Sequence, residues 1–234
     1  MQRDTVTSHL YPQMRFRIAG DRGLLIECGD AIDPAVNRKV HALKAVATQR
    51  PINGIKELIP SYCSLLAIYD PLETNPNQLQ ADFNCLEQQL AHAKIPAPKT
   101  IDIPVCYGRE FGPDIDFVAQ HNDTHVDDVV RIHTTPIYLI YMIGFAPGFP
   151  YLGGLSDALH TPRLKTPRQS VPAGSVGIAN DQTGMYPVST PGGWQIIGRT
   201  PLTLFDPIGI GTPIAERPSH ITGHTGHVSG DSAD

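Results

Sequence analysis

The most constraining feature of the sequence is a segment dense in glycine and proline. Between residues 144 and 213, 12 of the 70 residues are glycine and 10 are proline, whereas only seven are charged. Glycine and proline interrupt helices, and a disordered linker would be more polar than this segment. The apolar stretches within it are short: SVGIA, MYPVS, WQIIG and LTLF. This pattern predicts brief strands joined by turns, as in a small β-barrel or sandwich.

The residues before this segment alternate between strand and helix patterns. Asp33 and Asn75 are each followed by proline, and a capping residue before proline is typical of a helix start. Apolar residues at helical spacing follow both starts, namely Val36, Val40, Leu43 and Ala47, then Leu79, Phe83, Leu86 and Leu90. Strands are predicted at residues 14–18, 23–28, 54–59, 64–69 and 101–105. The order indicates ferredoxin-like split βαβ units.

A short proline-containing linker at residues 95–99 predicts a domain boundary. The expected fold class is α+β, with a small α/β domain at residues 1–94 and a β-barrel domain at residues 100–215. The polar residues 216–234 are predicted to be a disordered tail. The second domain should begin with two short helices, the later one capped by Thr124 and Asp127, before a buried strand at residues 137–143.

Composition excludes several function classes. The net charge is −5, and no basic run provides the electrostatic footprint of a nucleic-acid-binding protein. No apolar run reaches the roughly 18 residues of a membrane span, and the first residues do not resemble a secretory signal. Four cysteines lie far apart, without a CxxC pair: Cys28, Cys63, Cys85 and Cys106. They are interpreted as reduced thiols of a cytoplasmic protein.

Standard cofactor motifs are absent from the sequence. It contains no GxxxxGK[ST] phosphate loop, no GxGxxG dinucleotide fingerprint and no Met-Lys-Met biotin site. His121 and His125 are four residues apart, as zinc ligands on a helix can be, but a helix-start signal lies between them. No metal site is therefore predicted.

One serine in the glycine-rich segment is a candidate nucleophile. Ser175 lies in AGSVG, which differs from the GxSxG elbow by its first residue. A nucleophilic serine needs a base, and His133 or His160 would have to approach it in space. A structural turn is the favoured interpretation, and the catalytic residues stay unassigned.

Two groups of residues in this segment are candidates for binding. Arginine guanidinium groups and an aromatic ring beside the backbone amides of glycines suit a small planar anion such as a carboxylate. The candidate residues for this site are Arg163, Arg168, Ser175, Gln182, Trp194 and Arg199. The alternative is that the arginines cap loop carbonyls. Glycines beside aromatic residues predict the mouth of a pocket facing a partner, formed by Phe145, Phe149, Tyr151, Tyr186, Gly192, Gly193 and Trp194. The alternative is that they turn and fill the barrel.

The chain resembles a known family in several long motifs. They are GFAPGFPYLGGL, VPAGSVGIA, QTGMYPVSTPGGWQIIGRTPL and LFDP, with GDRGLLIECGD and IPSYCSLLAIYDPL nearer the start. The resemblance is to the family that includes KipI, allophanate hydrolase subunit 1 and the B subunit of 5-oxoprolinase (PxpB), and it covers about residues 15–207. It implies an α/β domain joined to a cyclophilin-like barrel, similar to subdomains of the carboxyltransferase part of urea carboxylase.

The resemblance implies first an enzyme subunit. This would be the PxpB component of an ATP-dependent 5-oxoprolinase, which opens 5-oxo-L-proline to L-glutamate in complex with subunits A and C. Because the chain has no phosphate loop, we expect it to be inactive alone and ATP to be used by the complex. Two alternatives are an inhibitor of a sporulation histidine kinase, and a subunit associated with a carboxyltransferase or allophanate hydrolase in urea breakdown.

The sequence departs from the family pattern near its end. Family members continue into a Leu-x-x-Gly-Asp-x-Val-x-Phe strand that helps to complete the barrel. In this chain, residues 208–218 read IGIGTPIAERP and do not match that pattern. The barrel is therefore expected to be open at that edge, closed by a partner, or closed by residues 213–215.

Overall fold

The computed structural model describes residues 9–90, 100–206 and the backbone of 220–225. It divides the chain into two compact units, residues 1–97 and residues 98–234. The linker predicted at residues 95–99 lies outside the described residues. Among the described helices, none is long and apolar enough to cross a membrane.

The first unit contains one antiparallel sheet of four strands. Its strands are β1 (Leu10–Ala19), β2 (Gly23–Gly29), β3 (Ile55–Pro60) and β4 (Ser64–Tyr69), in the sheet order β1-β2-β4-β3. The predicted hairpin of β1 and β2 is confirmed, since Phe16 pairs with Ile26 and Ala19 with Gly23. β3 and β4 also pair as antiparallel neighbours.

Two helices pack against this sheet, and both predicted starts are confirmed. They are α1 (Pro34–Gln49) and α2 (Pro76–Glu87). The Asp33 carboxylate accepts hydrogen bonds from the backbone N–H groups of Ala35 and Val36, and the Asn75 side chain accepts one from Gln78. These bonds satisfy helix N–H groups that have no partner within the helix. The predicted apolar stripes form the core with Leu24, Ile26, Leu65 and Ala67.

The second unit is a closed barrel. It begins with β5 (Thr100–Tyr107), α3 (Ile115–His121), α4 (Val126–Thr134), β6 (Ile137–Ile143) and β7 (Pro150–Gly153). It continues with β8 (Arg168–Val171), β9 (Ser175–Ala179), β10 (Gln182–Met185), β11 (Thr190–Gly192), β12 (Gln195–Arg199) and β13 (His220–Thr225). Around the barrel the order is β10-β7-β6-β13-β5-β12-β9, and β10 pairs with β9 to complete the ring. β8 and β11 form a separate two-stranded sheet.

The strand that closes the barrel lies where the sequence predicted disorder. β13 pairs in parallel with β5 and antiparallel with β6. It belongs to the segment 216–234, so the prediction of a disordered tail is wrong for residues 220–225. Backbone pairing on both edges holds a strand whose sequence, HITGHT, has little strand character of its own. Closure by residues 213–215 concerns residues outside the described chain.

Two local predictions in this unit are wrong. α4 begins at Val126 with His125 as its N-cap residue, and no side chain caps it, so Thr124 and Asp127 form no capping box. The Thr124 backbone N–H instead donates to the Ala119 carbonyl and ends the preceding turn. The LTLF stretch at residues 202–205 forms no strand. The predicted strand at residues 137–143 is β6.

Apolar residues of the second unit form two clusters. The larger includes Val105, Val118, Tyr138, Val176 and Ile178. The smaller comprises Phe149, Val171, Ala179, Tyr186, Trp194 and Ile196. Ile178 and Ala179 are consecutive on β9 and belong to different clusters, because successive side chains of a strand point to opposite faces. The two faces of the barrel wall therefore support different environments.

Candidate functional site

The smaller cluster brings together the aromatic residues that the sequence nominated as a pocket. The Phe149 ring lies edge-on to Tyr186 and Trp194, with centroids 5.3 and 5.5 Å apart. The Tyr151 ring lies 4.9 Å from Phe149. Phe149, Tyr186 and Trp194 are at most 6% exposed. Edge-to-face packing of this kind adds about 0.5–1.5 kcal/mol per pair to the burial of apolar area.

Phe145 is an exposed aromatic residue beside this cluster. Its side chain is 63% exposed, although its ring lies 5.4 Å from Phe149 and 6.5 Å from Tyr186. The Phe145 backbone has a φ of 63°, and the Ala146 N–H donates to the Gly144 carbonyl across it at 2.7 Å. These features match a classic γ-turn, a strained conformation that is rare for a bulky residue. The turn holds an aromatic side chain out of the protein.

Trp194 is buried and does not lie at a mouth as predicted. Its neighbour Gly192 packs so closely on Tyr186 that a Cβ atom there would lie 2.3 Å from the tyrosine hydroxyl. A Cβ atom at Gly193 would make only ordinary contact, 3.5 Å from Pro167. Burial raises the pKa of Tyr186, and a backbone hydrogen bond with Trp194 opposes this shift. The exposed Arg163 guanidinium lies 5.9 Å from the Trp194 ring, within cation–π range.

Arg168 is paired with a carboxylate of the chain itself. Its guanidinium donates to Asp114 Oδ1 at 2.6 Å and to the Trp194 carbonyl at 3.3 Å. The other carboxylate oxygen of Asp114 accepts the Ile196 N–H at 2.6 Å. This geometry ties the loop before α3 to β8 and β12. It corresponds to the alternative in which the arginine stabilises neighbouring loops.

Ser175 and Arg199 lie together on neighbouring barrel strands. They are directly paired residues of β9 and β12. Ser175 Oγ and Arg199 Nε are buried, and neither atom has a hydrogen-bond partner among the described residues. The Arg199 guanidinium lies 5.6 Å from the centre of the Phe111 ring. Two of the six residues predicted to bind an anion therefore share one location.

Gln182 lies away from this pair. It pairs with Ala179 at the opposite end of β9 from Ser175. The four residue steps between Ser175 and Ala179 correspond to about 13 Å along the strand. The structure therefore does not bring Gln182 together with Ser175 and Arg199.

Neither candidate histidine base activates Ser175. Both ring nitrogens of His133 have other partners, since Nδ1 lies 2.8 Å from Tyr107 Oη and Nε2 lies 2.9 Å from Thr183 Oγ1. His160 Nε2 lies 3.4 Å from an Asp157 carboxylate oxygen. Without a base for its hydroxyl among these residues, Ser175 does not have the geometry of a nucleophile.

The buried His133 network is a feature that the sequence analysis missed. His133 is 4% exposed, and burial lowers its pKa to about 4. Its spacing was a usable signal, because it follows Val129 by four residues on the buried face of α4. An internal histidine linked to Tyr107 and Thr183 stabilises the barrel interior and lies outside the site of Ser175 and Arg199.

No group of three or more potential metal-ligating side chains occurs within the part of the chain that the structure describes. The buried side-chain nitrogen and oxygen atoms without a hydrogen-bond partner in that part of the chain are Ser175 Oγ and Arg199 Nε. One hydroxyl and one guanidinium fit a single carboxylate or phosphate group, and they do not form a cradle for a triphosphate.

The fold and site define a two-unit α/β protein whose barrel carries a buried aromatic cluster and, among the described residues, the unpartnered polar atoms Ser175 Oγ and Arg199 Nε. Comparison with known proteins identifies the family to which the chain belongs. A family model described as "Carboxyltransferase domain, subdomain C and D" matches residues 14–213. The chain therefore belongs to this carboxyltransferase-domain family, and more narrowly to the family of KipI and PxpB with which its motifs agree.

Similar proteins support this placement. The chain is 46% identical to the B subunit of 5-oxoprolinase from Bacillus subtilis, over 80% of this chain and 82% of that protein. It is 39% identical to the B subunit of 5-oxoprolinase from Escherichia coli O157:H7, over 82% of this chain and 87% of that protein. The crystal structure of TTHA0988 is similar with a TM-score of 0.78 and 30% identity, covering 91% of this chain and 41% of the TTHA0988 chain. This chain thus spans less than half the length of TTHA0988.

Proposed function

We propose that this chain is the PxpB component of an ATP-dependent 5-oxoprolinase, which opens 5-oxo-L-proline to L-glutamate. The observation that carries the proposal is the identity of 39% and 46% with two proteins named as the B subunit of 5-oxoprolinase, over about four fifths of the chain. Both relatives are matched over most of their own length. An alignment over four fifths of the chain extends into both of its units.

The reaction requires more than this chain provides. Opening a lactam in water must overcome the resonance stabilisation of the amide, and ATP supplies the free energy in the proposed enzyme. The anion site of the described residues fits one carboxylate and not a triphosphate, so we assign ATP binding to another subunit. The proposed assembly contains subunits A and C, and this chain alone is inactive. The four cysteines are free thiols, which is consistent with a cytoplasmic enzyme.

The exposed Phe145 supports a heteromeric assembly. Holding a bulky residue in a left-handed conformation costs of order 1–3 kcal/mol, and such strain is often retained where a side chain serves binding. The Phe145 ring contacts the rings of Phe149 and Tyr186, and its exposed face offers apolar area to a partner. We assign this surface to a contact with another subunit of the enzyme.

We also propose that the first unit is a ferredoxin-like domain and that the second unit is a cyclophilin-like barrel. In the first unit α1 connects β2 to β3 while β4 lies between them in the sheet, which is a split βαβ arrangement. This supports the ferredoxin-like description. The seven-stranded closed ring of the second unit supports the cyclophilin-like description that the family resemblance implies.

The test is reconstitution of the reaction. Purified chain, alone and with subunits A and C from the same organism, is assayed for glutamate formation and for phosphate release that depends on 5-oxo-L-proline. We expect no turnover by the chain alone, and turnover of both substrates when the subunits are combined. Turnover by the isolated chain would disprove the requirement for partners. Absence of turnover in the full mixture, where subunits A and C are active with the corresponding chain of a characterised relative, would disprove the function.

A further inference from the structure

Among the described residues, two buried side-chain polar atoms that have no hydrogen-bond partner occupy adjacent positions on the barrel wall. Ser175 and Arg199 are directly paired across β9 and β12. Side chains at paired positions of neighbouring strands lie on the same face, with Cβ atoms about 4.5–5.5 Å apart. Ser175 is fully buried, whereas the remainder of the Arg199 side chain is partly exposed. The pair therefore places two buried polar atoms side by side, next to an arginine side chain that is partly exposed.

An unsatisfied pair of this kind is costly for the folded protein. Leaving a buried donor or acceptor without a hydrogen bond costs about 1–3 kcal/mol. Protein interiors contain few such groups, and two at neighbouring positions indicate that something outside the described chain completes their hydrogen bonds. A guanidinium can only donate, and a serine hydroxyl can also donate. The complement to both groups is an acceptor with negative charge.

The surroundings of Arg199 hold it in place without neutralising it. The Phe111 ring lies 5.6 Å from the guanidinium carbon. Gly174 has a φ of +80°, and a Cβ atom there would lie 2.4 Å from the Thr200 carbonyl oxygen and 3.3 Å from Arg199 Cγ. No carboxylate of the described residues forms an ion pair with Arg199. Arg168 provides the contrast, because Asp114 already neutralises it.

We propose that Ser175 and Arg199 bind the α-carboxylate of 5-oxo-L-proline, with the guanidinium pairing with the carboxylate and the serine hydroxyl donating to one of its oxygens. The choice of this ligand rests on the proposed function; the preference for a small carboxylate rests on the site alone. A planar guanidinium matches a carboxylate with two parallel hydrogen bonds, which an ammonium group cannot reproduce. Arg199 is thus a substrate-positioning residue, and Arg168 is a structural one.

The first experiment measures binding to the isolated chain and KM in the reconstituted complex. The ligands are 5-oxo-L-proline and 2-pyrrolidinone, which has the same lactam ring without the carboxylate. The variants are Arg199→Lys and Ser175→Ala, with Arg168→Lys as the matched control. Loss of a charge-assisted hydrogen bond corresponds to roughly a 10- to 100-fold change in affinity. We expect that change for Arg199→Lys with 5-oxo-L-proline, and no measurable binding of 2-pyrrolidinone to the wild type.

Thermal unfolding separates binding from structure. Ser175→Ala removes an unpartnered hydroxyl, so the free protein should be as stable as the wild type or more stable while the ligand binds less tightly. If Ser175→Ala instead destabilises the free protein and leaves binding unchanged, a trapped water satisfies the hydroxyl and the proposal is overturned. Arg168→Lys should lower stability, because it replaces a guanidinium that pairs with the Asp114 carboxylate. It should leave KM within about twofold of the wild type.

The outcomes distinguish this proposal from the function on which it rests. An active complex whose KM is unchanged by Arg199→Lys overturns the carboxylate site and leaves the 5-oxoprolinase assignment intact. If the complex is inactive, the proposed function fails, and binding of 5-oxo-L-proline to the isolated chain still tests the site. Binding by the wild-type chain that is abolished by Arg199→Lys would then support the carboxylate site. Absence of carboxylate binding by the wild-type chain, together with an inactive complex, overturns both.

Discussion

His133 Nε2 lies 2.9 Å from Thr183 Oγ1 inside the second unit, and this contact determines which nitrogen carries the proton. Thr183 Oγ1 donates its own hydrogen to the Gly177 carbonyl at 3.0 Å, so it must accept from His133 Nε2–H. His133 Nδ1 is then the acceptor for the Tyr107 hydroxyl at 2.8 Å. Every polar atom of the histidine ring is satisfied in its neutral form. Protonation of Nδ1 would remove the acceptor that Tyr107 uses.

This arrangement predicts a loss of stability in mild acid. Burial lowers the pKa of His133 from its ordinary value of 6.5 to about 4. Between these values the unfolded chain binds a proton that the folded chain does not bind. The stabilisation is therefore complete above pH 6.5 and is lost as the pH falls towards 4, by about 1.4 kcal/mol per pH unit. Urea unfolding at pH 7 and pH 5 measures the effect.

The control for this prediction is the same titration with His133→Gln. The difference in unfolding free energy between pH 7 and pH 5 should be about 2 kcal/mol smaller in the variant than in the wild type. His160→Gln, at a more exposed position, should keep the wild-type dependence. Equal pH dependence of the wild type and His133→Gln would contradict the prediction.

Gly192 and Gly193 provide a matched pair for testing the aromatic cluster. A Cβ atom at Gly192 would lie 2.3 Å from Tyr186 Oη, whereas one at Gly193 would lie 3.5 Å from Pro167. Gly192→Ala must displace a buried ring that packs on Phe149 and Trp194, and overpacking typically costs about 1–3 kcal/mol. Gly193→Ala should change stability by less than about 1 kcal/mol. Thermal unfolding of both variants checks this, and equal losses would contradict the packing argument.

The Asp114 carboxylate is predicted to be a structural anion. It pairs with Arg168 and also accepts the Ile196 N–H, and its side chain is 12% exposed. Asp114→Ala leaves a partly buried guanidinium without a counterion, so stability should fall by about 2–4 kcal/mol. Asp116→Ala, at an exposed position of α3, should cost less than about 1 kcal/mol. Denaturant unfolding of both variants checks this, and similar losses would show that Asp114 contributes only surface charge.

The helices of the first unit could be predicted from sequence because their signals are local. Asp33 and Asn75 cap the helices they precede, and the apolar stripes beginning at Val36 and Leu79 face the sheet. Capping and helical periodicity act within a few residues, so no tertiary information is needed. The same reasoning located β6 and the hairpin of β1 and β2.

The closing strand and the roles of the arginines could not be predicted in this way. β13 exists because β5 and β6 pair with both of its edges, and the sequence HITGHT does not signal this. Arg168 and Arg199 occur in similar glycine- and proline-rich surroundings, yet only Arg168 meets Asp114, which lies 54 residues earlier. Long-range pairing of this kind decides whether an arginine is neutralised within the chain or can bind a ligand.

The prediction that Trp194 lies at a pocket mouth is wrong for the same reason, since its burial depends on the distant residues Phe149 and Tyr186.

The last prediction concerns Phe145 and uses Phe117 as its control. Both phenylalanines are exposed, by 63% and 46% respectively. Phe117 lies on α3 and stacks with His121, whereas Phe145 is held by a strained turn over Phe149 and Tyr186. If Phe145 contacts another subunit, Phe145→Ala should weaken assembly by about tenfold or more, as expected for a buried aromatic anchor. Phe117→Ala should leave assembly unchanged.

Assembly is measured by titrating each purified variant against the partner subunits, with thermal unfolding as a check on folding. Alanine tolerates a positive φ poorly, so Phe145→Gly is the second variant: it relieves the turn, and it should be at least as stable as Phe145→Ala. Weakened assembly in both Phe145 variants, at near wild-type stability, would place Phe145 at the subunit contact. Wild-type assembly by Phe145→Gly would contradict the proposal, because the strained turn would then serve the folded chain alone.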